Sequence, residues 1–202
     1  MKSLACIAAL IVVWLAWAGS PVSYAGTNGN DVTAVNSSVR ANDGQTYGTL
    51  STVNGDVRVG RGAIADQAKT VNGSITLEND ARVGEAHTVN GSLKISEGVA
   101  IERQAHTVNG DIDMRQRSRV GGDVATVSGD IELSDGSRVR GGIYVKKSNR
   151  SGWNWSKDDP VKVHICSTCV VDGDLRFERP VELRVDSGAK IGKVIGDNVR
   201  RL

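Results

Sequence analysis

The chain has no strong excess of either charge: its 202 residues carry 25 Lys and Arg against 23 Asp and Glu, a formal +2. General nucleic-acid binding rests on clustered positive charge, so nothing points to that class. Helical 3.6-residue periodicity is also missing. Single aliphatic residues instead alternate with polar ones among 24 glycines, the pattern of many short strands and turns. Aromatic residues reach only 4%, and there are three cysteines. The one long apolar run, Leu4 to Ala18, is short for a membrane span. It follows Lys2 and precedes Ser23-Tyr24-Ala25, which puts small residues at the two positions a signal peptidase reads. Residues 1–25 are therefore expected to be a signal peptide cleaved after Ala25. Such a protein is periplasmic or extracellular, with no stable membrane span once the signal is removed. Cys6 lies ahead of the apolar run, which argues against a lipoprotein. Cleavage removes Lys2, Cys6, Trp14 and Trp17, leaving about 177 residues at a formal charge of +1.

One phrase returns through what remains. Thr52-Val53-Asn54-Gly55 is followed by Thr70-Val71-Asn72-Gly73, Thr88-Val89-Asn90-Gly91, Thr107-Val108-Asn109-Gly110 and Thr126-Val127-Ser128-Gly129, at spacings of 18, 18, 19 and 19 residues. This period is too short for the common helical repeats and fits one coil of a parallel β-helix. With the repeated Thr as position zero, apolar residues recur at positions 1, 5, 7 and 13, and position 11 is small or apolar. Positions 5 and 7, and 11 and 13, are two apart and face one side of a short strand. Asn-Gly supplies a corner through residues that tolerate positive φ. A polar second corner and a less regular third complete the coil, and the third must hold the extra residue of the longer coils. The Thr residues are read as exposed β-branched positions. Counting back, Val35, Val39, Ala41 and Tyr47 continue the frame; counting forward, Val170 to Phe177 repeats the phrase, with Val181 and Leu183 at positions 11 and 13. The expectation is an all-β, single-stranded parallel β-helix of about seven coils over residues 34–195, its handedness undecided. Residues 26–33 form a linker or cap and 196–202 a tail.

The period breaks at residues 146–160 and is expected to resume near Val170. Insertions in solenoids project from one face, often the binding face. Trp153 and Trp155, with Lys146, Lys147 and Arg150 nearby, are the candidate contacts for a sugar ring or a protein partner; the alternative is that the tryptophans cover the coil beneath. His164, Cys166 and Cys169 follow. They offer three ligands where zinc normally takes four, and no His follows Cys169 for haem attachment. A structural disulfide closing the base of the insertion is the adopted reading, with metal binding, redox exchange and free thiols as alternatives. No cofactor and no metal site is expected.

Runs such as Arg119-Val120-Gly121-Gly122-Asp123-Val124 and Gly129-Asp130-Ile131-Glu132-Leu133, with Ser137-Arg138-Val139-Arg140-Gly141-Gly142-Ile143, resemble the bactofilin-type polymer-forming β-helix proteins of bacteria. The resemblance spans most of residues 34–195. It implies a self-associating or surface-displayed solenoid, similar to adhesin-like envelope repeat proteins, associating through its terminal coils or with an envelope polysaccharide or protein. Bactofilins are cytoplasmic, so their cytoskeletal role does not carry over to an exported chain. Three rival readings have their own residues. His87 and His106, in one column with Lys69, invite comparison with hexapeptide acyltransferases. The Thr ladder invites comparison with ice-binding β-helices, although these usually show two such rows. Arg82, Arg119 and Arg138 form a basic stripe suited to an anionic polymer. A polysaccharide lyase would gather acids in a groove, whereas Asp56, Asp111, Asp130 and Asp174 recur at a corner. The reading adopted is a non-enzymatic structural or interaction module, with carbohydrate binding through Trp153 and Trp155 as the alternative.

Overall fold

A computed structural model describes residues 24–25, 30–147 and 159–202, all in strands, turns and corners without a helix. The strands stack in parallel as a β-solenoid of about eight turns, close to the expected seven. A 9-stranded sheet takes one short strand from each coil, running from Val39–Ala41 through Val57–Val59, Ile75–Leu77 and Leu93–Ile95 to Val199–Arg201. A 14-stranded sheet carries the repeated phrase and the third face. Early coils merge these two in nine-residue strands, Thr46–Asn54, Ile64–Asn72 and Arg82–Asn90. Later coils split them, as in Ala100–Ile101 and Ala105–Asn109. The split follows from spacing. Two residues, Gly84 and Glu85, separate buried Val83 from buried Ala86, but three separate Ile101 from Ala105. The extra residue of the longer coils sits at this third corner, as expected.

The core is thin and unequal. The 9-stranded sheet points its larger side chains inward, including Ile75, Leu77, Leu93, Ile95, Ile112 and Met114, all fully buried. Against them the phrase-bearing sheet sets small ones: Ala68 with Thr70, and Ala86 with Thr88. Aliphatic burial on this scale supplies most of the folding drive, about 1.5–3 kcal/mol for each fully buried Leu or Ile.

That packing reverses two expectations. Thr52, Thr70, Thr88, Thr107 and Thr126 are buried at 0–3% exposure, while Val53 and Val71 stand 40% exposed. Thr is two residues after an inward Leu50 or Ala68, so strand alternation takes it inside and Val outside. The narrow volume facing the larger sheet favours the smaller residue. The Thr row is therefore no exposed ladder, and the ice-binding comparison loses its basis.

The late register also differs. The solenoid resumes at Val161, not near Val170: Val161–Ile165 joins the 9-stranded sheet, with Val163 opposite Ile131. Val170 and Val171 pair with Arg138 and Val139 on the third face, and Leu175 and Phe177 pair with Ile143 and Val145. Val181 and Leu183 stack on Val161 and Val163. The Val-Asp-Gly at 171–173 is thus the third corner and not another copy of the phrase, and Asp174 leaves the column of Asp56, Asp111 and Asp130. The 196–202 tail contributes Val199–Arg201 to the sheet. At the other end Val32–Ala34 stacks on the next coil, and Tyr24–Ala25 pairs antiparallel with it at Thr33 and Val32.

Candidate functional site

The phrase residues are the first candidates, and through the first four copies the structure uses their Thr, Asn and Gly for stacking. Thr70 Oγ1 donates to the Gly55 carbonyl at 2.8 Å and Thr88 to Gly73 at 2.8 Å; Thr107 reaches Gly91 at 3.1 Å. A Cβ on Gly73, Gly91 or Gly110 would collide with the carbonyl of the glycine one coil before. Outside the corner, the asparagine amides form a ladder. Asn54 Nδ2 donates to Asn36 Oδ1 at 2.9 Å, and Asn72, Asn90 and Asn109 each repeat the bond to the preceding rung at 2.8–2.9 Å. None of these asparagines has positive φ, whereas Gly91, Gly110 and Gly129 do. Gly55 and Gly73 do not, so the corner needs Asn for its amide and Gly chiefly for its missing Cβ, with positive φ an added demand in the later corners. The recurring Asp and Ser before the next strand serve stacking too, since Asp56 Oδ1 accepts from Ser74 N and Asp111 Oδ1 from Asp130 N, both at 2.8 Å. The signal for the ladder was the recurrence of Asn itself at a register repeat, where any turn-forming residue would have made a bend.

The amide ladder ends at Asn109, and on the same strands as its last two rungs the outer face of the phrase-bearing sheet carries the most unusual local environment. The rings of His87 and His106 lie 4.8 Å apart between centroids. His106 Nε2 is buried and has no hydrogen-bond partner among the described residues. Burial, then the neighbouring His87 and Lys146, pushes the His106 pKa down to about 4. Burial and then Lys69 also lower that of His87, despite the opposing pull of Glu85. Lys69 donates to Glu85 Oε1 at 2.9 Å, the main cause of that carboxyl's lowered pKa. Both imidazoles are thus held neutral beside two lysines. A neutral imidazole can act as a base, but among the described residues no acid is bonded to either ring to orient it.

Lys146 and Lys147 are exposed at the start of the insertion. The insertion replaces the Asn-Gly corner, between Val145 and Val161. Glu178 Oε2 accepts from Lys147 N at 3.0 Å, and Arg179 reaches the carbonyls of Val127 at 2.7 Å and Asp159 at 3.5 Å. Arg150, Trp153 and Trp155 lie outside the described residues. Next to this corner, a cleft of about 360 Å³ is lined by Arg176, Phe177, Glu178, Arg179 and residues 195–198.

Cys166 and Cys169 form a disulfide. It bridges the second corner, with the fully buried Cys169 at the core position of Ser137 one coil earlier, and so does not close the base of the insertion as expected. His164 is turned away from it and bonds Asp186 Oδ2 through Nε2 at 3.1 Å. That bond, with Arg184, keeps the Asp186 carboxyl below its ordinary pKa. Among the described residues no group of three or more His, Cys, Asp or Glu is placed to hold a metal ion. No helix there is long and apolar enough to cross a membrane. Compared with protein-family models, with curated proteins and with solved structures, the chain matches none.

Proposed function

We propose that the protein is an exported structural or interaction module, a self-associating or adhesin-like solenoid of the bacterial envelope. The observation that carries this reading is where the repeated residues are spent: in the first four phrases Thr and Asn bond the neighbouring coil and Gly lets it approach, so the repeat encodes a rod. The rod ends in strands whose outer edges have no partner among the described residues, Val39–Ala41 at one end and Val194–Ile195 and Val199–Arg201 at the other. Unpaired edges are templates for strand addition. Light scattering across a concentration series, with negative-stain microscopy, tests the idea. Mass that grows with concentration, or filaments, is expected; a strict monomer at every concentration rules out self-association.

Carbohydrate binding through Trp153 and Trp155 is the second reading. It is favoured by the place of the insertion in the chain, which displaces a stacking corner and begins at the exposed Lys146 and Lys147. Changing both tryptophans to Ala is then expected to abolish glycan retention with the fold intact.

A further inference from the structure

The third face carries a row that neither stacking nor the corners explain. In ladder register it reads Ile64, Arg82, Ala100, Arg119, Arg138, Val170, Lys190. Four cations, all exposed, thus lie along the solenoid axis, and the row holds no acid. Neighbouring strands are about 4.8 Å apart, so Arg119 and Arg138 are adjacent, with Arg82 and Lys190 each about 10 Å beyond them. Like charges directly opposite on paired strands repel. The fold does not require them, since Ile64, Ala100 and Val170 occupy equivalent places. Arg138 is bound to Asp172 at 2.9 Å, but the side chains of Arg82, Arg119 and Lys190 have no acidic partner among the described residues. Beside Arg119 the next outward residue is Gly121, which carries no side chain on that side, whereas over Gly84, beside Arg82, lie the Arg103 guanidinium and the Asp66 carboxylate. Asp66, Glu102 and Asp172 share that flanking column with Arg140; Asp66 is paired with Arg103 and Asp172 with Arg138.

We propose that this row is a binding track for an acidic polysaccharide whose chain lies along the solenoid axis. A straight row of cations spaced two, one and two strand steps apart fits a linear polyanion, whose carboxylates recur along one axis and can meet the row at several points. Guanidinium groups suit carboxylates in particular, donating two parallel N–H bonds to the two oxygens. The proposal deepens the interaction-module reading and rests on it only for where the polymer is met. Binding itself requires neither export nor self-association.

The test is affinity electrophoresis and calorimetry of the purified chain with polygalacturonate at low salt, alongside an uncharged glycan, inorganic polyphosphate and anionic phospholipid vesicles. Polygalacturonate is expected to bind, less tightly as salt screens the charges. The triple variant Arg82→Ala, Arg119→Ala, Lys190→Ala is expected to lose about tenfold or more in affinity. Replacing both arginines by Lys should retain part of it. The control pair Arg40→Ala, Lys94→Ala, exposed on the other sheet, should bind like the parent. Unchanged thermal melting of each variant separates lost binding from lost fold. The proposal is overturned by absence of polygalacturonate binding at low salt, by equal losses in the triple and control variants, or by binding confined to the uncharged glycan, polyphosphate or vesicles. A strict monomer that binds polygalacturonate through the row would sink the scaffold reading and leave this one standing.

Discussion

From Asn36 to Asn109 the corner between the two sheets is held by amides stacked one on the next; from Val145 onward the same corner carries an insertion and is tied by Arg179 to the carbonyls on either side. The inward Thr column changes with it, giving way to Val145 and Phe177. The cross-section hardly changes, since the same inward positions are filled. Solenoid geometry is thus fixed by the buried aliphatic columns, while the corner chemistry can be exchanged. Early coils are held by repeated hydrogen bonds, and late coils by larger apolar residues and a covalent link.

The largest effect that would separate the two regimes is steric. Gly73→Ala places a methyl against the Gly55 carbonyl, and urea unfolding should show a loss of about 3 kcal/mol. Gly136→Ala, at φ 78° with nothing near its Cβ, should cost only about 1 kcal/mol, the conformational penalty alone. Next in size is the late covalent link. Replacing Cys166 and Cys169 by Ala should cost about 2 kcal/mol by the loop-entropy estimate for so short a ring. Hydrogen exchange should place that loss in the last coils, and uniform loosening of the rod would contradict the division into two regimes.

Two threonines sharpen the boundary between the regimes. Thr88 Oγ1 is satisfied by the Gly73 carbonyl, whereas Thr126 Oγ1 is buried with no partner among the described residues. Thr88→Val should therefore destabilise by about 1–2 kcal/mol, and Thr126→Val should stabilise by about 1 kcal/mol or be neutral. The same sign at both sites in denaturant titrations would show that the hydroxyls are not what distinguishes them. His106 gives the pH counterpart. Its folded pKa of about 4 lies below its ordinary 6.5, so the unfolded chain takes up the proton first as pH falls. Stability is full above pH 6.5, declines between there and about 4, and levels off below. Partial exposure limits this component to about 1 kcal/mol. His106→Gln should remove it from the melting-temperature profile.

These regimes also show what could be read from residues alone. Val57, Val59, Ala63 and Ala65 were legible because apolar pairs two apart, returning once per coil, are what a stack of short strands around one core requires. The direction of Thr52 and Val53 was not, because hydropathy favours Val inside; alternation from Leu50 overrules it, and the hydroxyl's partner is a carbonyl 15 residues earlier in the chain. The register after residue 145 was lost because Val171-Asp172-Gly173 imitates the phrase where the true corner had been displaced. Cys166 and Cys169 were rightly paired, but their place on the second corner depended on that register. For the candidate site, the sequence marked His87 and His106 as one column, but not the desolvation that keeps them neutral, which comes from packing around the ring. Arg82, Arg119 and Arg138 were also visible as a column, and Lys190 joined them only once the late coils were in register.

Each coil of this rod touches chiefly the coil before and the coil after, so its cooperativity is that of a one-dimensional chain. Under tension applied at the C-terminus, such a chain sheds coils singly from the pulled end, and the force record follows the local chemistry in reverse order. Through the late coils it would register small, unequal steps. On reaching the continuous amide ladder at Asn109 it would meet identical bonds repeated every coil, and a ladder of equal rungs yields a plateau.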